Sequence, residues 1–113
     1  MKSRQVAGEQ NVATIVATAA ITANRLVAID GTHTAAAAAL GPALFATDSG
    51  DNISVGVGPI EVVEAGAAIT AGAAIEADSV GRATTKSSGV TVGRAIDAAT
   101  AAGDLIRYAR LLQ

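Results

Sequence analysis

Three stretches of the chain repeat nearly one phrase. Residues 19–30 read AAITANRLVAID, residues 67–78 read AAITAGAAIEAD, and residues 98–107 read AATAAGDLIR. Each passes from small residues to Asn24, Gly72 or Gly103 and then into an aliphatic pair, Leu26-Val27, Ala74-Ile75 or Leu105-Ile106. Asn and Gly accept positive φ at low cost, so each copy predicts a tight turn feeding a β-strand. The copies are offset by 48 and then 31 residues, which argues against a solenoid or propeller of fixed period. What remains is a compact β-domain that reuses one turn-strand device. The device carries no reactive group, which points to an architectural protein.

The rest of the chain agrees with that reading. Residues 12–20 are rich in β-branched side chains and suit a strand, and residues 25–29 form the next, ended by Asp30-Gly31. Ile53, Val55 and Val57 alternate with Ser54, Gly56 and Gly58, the period of a half-buried strand. Gly on the alternate face predicts close approach of another backbone, including one from a second subunit. Pro59 marks an edge or bend. Further strands are expected over 60–64, 74–75, 83–85, from 90 to about 97, and over 105–111. Residues 35–39 are all Ala, too short a run to nucleate a helix alone, and fit either a short packed helical turn or a loop. No sustained helical stripe appears. Roughly eight to ten short strands predict an all-β, single-domain barrel or sandwich. Residues 1–11 are polar, with Val6 and Ala7 apolar and Gly8 between them and the strand. They read as a flexible N-terminal arm, leaving 12–113 as one β-domain.

Composition bounds the core and the chemistry. Of 113 residues, 28 are Ala, while Val, Ile, Leu and Phe together number 27. Ala buries little area, so the core is thin and the domain is expected to lean on neighbouring copies or a larger assembly. Phe45 and Tyr108 are the aromatics, and there is no Cys, hence no disulfide or thiol nucleophile. No apolar core follows Lys2 and Arg4, so a secretory leader is not expected, and the uncharged stretch 31–47 is too short and too interrupted to span a membrane. Acidic residues gather in the middle: residues 26–81 hold seven acids and no Lys or Arg, whereas 82–113 hold five bases against Asp97 and Asp104.

Catalytic motifs are missing. His33 stands alone between two Thr residues, without a second ligand or a carboxylate at useful spacing. The pairs Glu61/Glu64 and Asp48/Asp51 fall at expected strand edges and turns rather than in an acid-base arrangement. Residues 48–52 lack the ligand alternation and closing Glu of a calcium loop. Gly56-Val57-Gly58 lacks the third Gly and following helix of a nucleotide cradle. An acidic chain with two aromatics is not built for nucleic acid. The expectations are no catalytic residue, no cofactor and no metal.

AAITANRLVAIDG, VEAGAAITAGAAIEADSVGRATT and VGRAIDAATAAGDLIRYARL, set in an Ala-, Gly-, Thr- and Val-rich chain without Cys, resemble the capsid decoration (cement) proteins of tailed bacteriophages. The resemblance covers about residues 19–112. It implies an all-β subunit on the outer surface of the virion head, made in the host bacterial cytoplasm. Its partners would be the major capsid protein and further copies of itself, a trimer favoured over a dimer, with no nucleic acid or membrane. In such proteins an N-terminal arm commonly engages the lattice. Capsid-binding candidates here are therefore Lys2, Arg4, Gln5 and Val6 in the arm, with Arg25 and Lys86 as further cations for capsid carboxylates. The phrase AAITAG followed by an apolar strand also resembles the β-clip of antifreeze-like domains, which would imply a small-ligand-binding module. That alternative wants a concave face with converging polar groups.

Overall fold

A computed structural model of the protein describes residues 11–110. Nine short strands make up the regular structure of this span: β1 (Val12–Val16), β2 (Leu26–Val27), β3 (Gly41–Pro42), β4 (Asn52–Gly56), β5 (Ile60–Glu64), β6 (Ala74–Ala77), β7 (Ala83–Thr85), β8 (Gly93–Ala95) and β9 (Leu105–Arg110). The all-β expectation holds, and β5 and β7 fall on the expected residues. The strand that the sequence does not announce is β3, whose Gly41-Pro42 pairs with Val27 and Leu26. All but Asn11 of the expected arm, including Lys2, Arg4, Gln5 and Val6, lies outside the described residues.

The strands pair antiparallel in three sheets, β1-β4, β2-β3 and β5-β9-β8-β6-β7. Behind this division is an internal duplication. β1 and β4 pair with Ile15 opposite Ile53, while β5 and β9 pair with Val63 opposite Ile106. Val27 faces Gly41 in the first half as Ile75 faces Gly93 in the second. Non-ladder hydrogen bonds repeat as well. The Ala17 N–H donates to the Asp51 carbonyl and the Ala65 N–H to that of Asp104, each at 2.8 Å. The Asn24 N–H reaches the Ala43 carbonyl and the Gly72 N–H that of Ala95, each at 2.7 Å.

This duplication refines the reading of the three phrases. Asn24, Gly72 and Gly103 all have positive φ, at 65°, 88° and 96°, as their turns require. Only the first two copies, however, occupy equivalent places. Gly103 matches Gly50 (φ 94°), which sits 53 residues earlier in the first half. The uneven offsets thus arise from two different turns of one repeated unit, not from three units.

The halves interlock rather than stack. Ala17, Ile21, Val27, Ala43, Ile53 and Val55 form a small core in the first half. The larger core, with Val63, Ile75, Ile106 and Tyr108 at its centre, also takes in Leu26 from the first half. The Leu26 N–H bonds to the Gly81 carbonyl at 2.7 Å, and the Glu64 N–H to that of Asn24 at 2.8 Å. The Ala run forms no helix. Ala36 turns through φ 55°, donates to the Ala77 carbonyl and accepts from the Val90 N–H, so the run straps one half to the other.

The space beside Gly56 and Gly58 is filled by a side chain of the same chain rather than by another backbone, and the close backbone approach falls at Gly41. The Gly56 carbonyl lies against Gly41, and the Glu61 carboxylate covers both Gly56 and Gly58. It accepts the Gly58 N–H at 2.8 Å.

Candidate functional site

Several carboxylates are occupied in holding turns. Asp30 accepts the N–H and hydroxyl of Thr32, Asp78 accepts the N–H groups of Val80 and Arg82, and Asp104 accepts those of Thr100 and Ala101. These are local carboxylate-backbone turns, the reason Asp is favoured there. The bonds from Thr100 and Ala101 hold the Asp104 carboxyl below its usual range. Ser87 and Gly89 N–H groups do the same for Glu76. A carboxylate kept ionised by backbone donors makes a poor general acid near neutral pH.

The candidate residues separate. Arg25, just before β2, meets Glu64 at 3.1 Å and so links the two halves. Lys86, just after β7, is exposed and donates to the neighbouring Ser87 carbonyl at 3.3 Å. The structure gives these two cations different settings, one already matched by a carboxylate and one facing solvent. His33 accepts the Thr22 N–H through Nε2 at 3.1 Å, and burial, with the Arg25 charge, lowers its pKa. A neutral imidazole accepting a backbone proton is structural. Among the described residues no group of three His, Cys, Asp or Glu side chains could hold a metal ion, and no helix is long and apolar enough to cross a membrane.

Two outward faces carry apolar side chains. β1 turns Val12 and Val16 to solvent, 46% and 56% exposed. Phe45 lies two residues beyond the bridge between Ala43 and Val55 and is 67% exposed. In the duplicate half the same position is Asp97, whose carboxylate grips the Arg107 guanidinium at 2.8 Å. The second face carries Ile60, Val62 and Leu105 on β5 and β9. Ile29, Val80 and Val90 are exposed elsewhere, so what sets these positions apart is their grouping on paired strands. Residue type alone does not say which Val or Ile of β1 and β5 faces outward, and the match of Phe45 to Asp97 emerges only from the duplication.

One cavity of about 120 Å³ opens between the Ala strap and the run into β8, lined by Ala38, Ala39, Val90, Thr91, Val92, Tyr108 and Arg110. Burial pushes the Tyr108 phenol up to about 12, which rules it out as an acid or base near neutrality. The space is far below that of ordinary small-molecule pockets.

A family model described as phage cement protein matches residues 6–110. Among solved structures, the head fiber gp8.5 N base in bacteriophage phi29 shares the fold with a TM-score of 0.70 at 23% sequence identity. That alignment covers 90% of this chain and 98% of the phi29 chain. No curated protein matches.

Proposed function

The chain belongs to the phage cement protein family, and from that premise we propose that it binds the outer surface of an assembled head and bridges neighbouring major capsid subunits. A structural part in the phage capsid follows from the family itself. The outer location, the bridging and the stabilisation of the lattice are our reading. The observation that carries it is the family match, which runs through the whole β-domain. Exposed Val12 and Val16 on β1, Phe45 beyond β3, and Ile60, Val62 and Leu105 on the β5-β9 pair are side chains offered for capsid or subunit contact.

In this reading function is mechanical. A subunit that binds the intact lattice better than its disrupted form stabilises it by linkage. Several copies acting together, a trimer favoured over a dimer, turn weak single contacts into firm attachment through effective concentration. The N-terminal arm, with Lys2, Arg4, Gln5 and Val6, engages the lattice by adding to an exposed sheet edge or meeting capsid carboxylates. Lys86 offers a free cation at a loop tip, and Arg25 contributes beside Glu64. The protein is made in the host bacterial cytoplasm and acts without cofactor, nucleic acid or membrane.

The test is survival of heads under heat or osmotic shock with and without the protein. Decorated heads are expected to outlast bare ones, and equal survival would remove the reading. Deleting residues 1–10 is expected to leave the fold intact and weaken decoration. Undiminished decoration would show that the arm is not the anchor.

A further inference from the structure

The cations of the described residues fall into two groups. Arg25, Arg82 and Arg107 each pair with a carboxylate, Glu64, Asp78 and Asp97 respectively. Lys86, Arg94 and Arg110 have no such partner among the described residues, and of these three Arg110 alone is partly buried. Its NH1 group donates to the Leu40 carbonyl at 2.6 Å, which fixes the guanidinium at the edge of the cavity. Because a guanidinium carries five N–H donors, this bond and one to the Tyr108 hydroxyl leave others available.

Tyr108 and Thr91 line the same cavity. Tyr108 is 1% exposed, and its hydroxyl stays protonated through the neutral range, so it is a fixed donor. Thr91 brings a hydroxyl that can also donate. Among the described residues no carboxylate lines the space; Glu61, opposite Tyr108 in the β5/β9 register, is turned to the Gly58 N–H. The remaining walls are Ala38, Ala39, Val90 and Val92. A guanidinium and two hydroxyls set among small apolar walls match a group with two acceptor oxygens on a short hydrocarbon stem. That group is a carboxylate, which Arg binds best by two parallel N–H···O bonds. A cavity of about 120 Å³ admits the end of an acidic side chain and nothing much larger.

We propose that the cavity bounded by Ala38, Ala39, Val90 and Val92, with Arg110, Tyr108 and Thr91 as its polar groups, receives the carboxylate of an Asp or Glu side chain from the capsid partner. The identity of the partner rests on the function proposed above; the carboxylate chemistry does not. Each site would add one charge-assisted contact in a partly desolvated place, where such a bond is stronger than on an open surface.

Propionate is the probe, titrated into the full chain while amide and guanidinium NMR resonances are followed. Saturable shifts at Thr91, Tyr108 and Arg110 in the millimolar range are expected. Arg110→Gln is expected to weaken them at least about tenfold, since a hydrogen bond to a charged group is lost. Ala38→Leu, which leaves every polar group in place, is expected to block the space and abolish the shifts. Absence of saturation, or equal binding by Arg110→Gln and Ala38→Leu chains that remain folded, would overturn the site. Decoration of heads is measured in parallel. If propionate binds as expected but both variants decorate as tightly as the parent chain, the site takes free carboxylates and the assigned partner is wrong. If the parent chain binds propionate but never decorates heads, the capsid function fails together with that partner, while the carboxylate site stands.

Discussion

Backbone conformation at single turn residues is where the sequence acts most directly. Asn24 sits at φ 65° and Gly103 at φ 96°, in the region that a Cβ disfavours. A Cβ on Gly103 would meet nothing within 4 Å, so Gly103→Ala isolates the backbone term. We expect it to cost about 1–2 kcal/mol, read by denaturant midpoint, with Asn24→Gly near neutral as the contrast. Gly81→Ala should cost more, since its Cβ would press on the Leu26 carbonyl where the halves join. Thr34 offers the opposite case. Its hydroxyl is buried with no partner among the described residues, so Thr34→Val should stabilise by roughly 1 kcal/mol. Unchanged or lower stability would mean that the hydroxyl is satisfied by water.

Side-chain charge at this scale sets the pH response. The hydrogen bonds from Arg107 hold the Asp97 carboxyl down at about 2, against an ordinary 3.8. A folded-state pKa below the unfolded one means that the unfolded chain binds more protons. The stabilisation is therefore present above the unfolded value and lost as pH falls from about 4 towards 2. Melting temperature should drop across that window, and less steeply in Asp97→Asn. His33 acts in the same direction at higher pH, because its lowered pKa favours the neutral ring in the fold. Stability should decline as pH falls below 6.5, an effect absent in His33→Gln.

Among the elements, central strands and edge strands have different tasks. Ile75 on β6 and Ile106 on β9 lie fully inside the larger core. Truncating either to Ala removes buried methylenes and leaves a cavity, for an expected loss of about 2–5 kcal/mol. Given the many Ala neighbours, little is available to collapse into the gap. Val12 and Val16 on β1 alternate with Ala13 and Ile15 and face solvent. Val16→Ser should therefore leave the melting temperature within a degree or two, on the order of a typical surface change. If stability falls by several kcal/mol, the side chain is buried in a self-assembled form, which sedimentation of the same variant would reveal.

At the scale of the molecule, the two halves share a core. Leu26 crosses from the first half into the second, and the Arg25–Glu64 pair and the Ala36 strap tie them further. Unfolding should accordingly be one cooperative transition, with far-ultraviolet dichroism and Tyr108 fluorescence changing together. Two separated transitions would mean that the halves are independent. By the same argument residues 1–57 and 58–113, made separately, should not fold.

Local signals in the sequence determined the class of fold and most strand positions. Positive-φ residues before aliphatic pairs, period-two alternation at Ile53 and Val55, and Pro59 between β4 and β5 each act within a few residues, so they can be read along the chain. They carry no recognisable catalytic motif. The duplication became plain in the tertiary structure, where Gly50 and Gly103 share a backbone conformation; residues 47–53 and 100–106 share only Thr, Gly, Asp and Ile at matching places, and Gly50 lies outside the three Ala-rich phrases. Tertiary structure alone revealed β3, whose Gly-Pro pair has little intrinsic strand preference and is held by β2. The same holds for the cavity beside Arg110. Its walls come from residues 38–39 and 90–92, brought together by hydrogen bonds through Ala36, and no spacing in the sequence encodes a contact made between two separate loops.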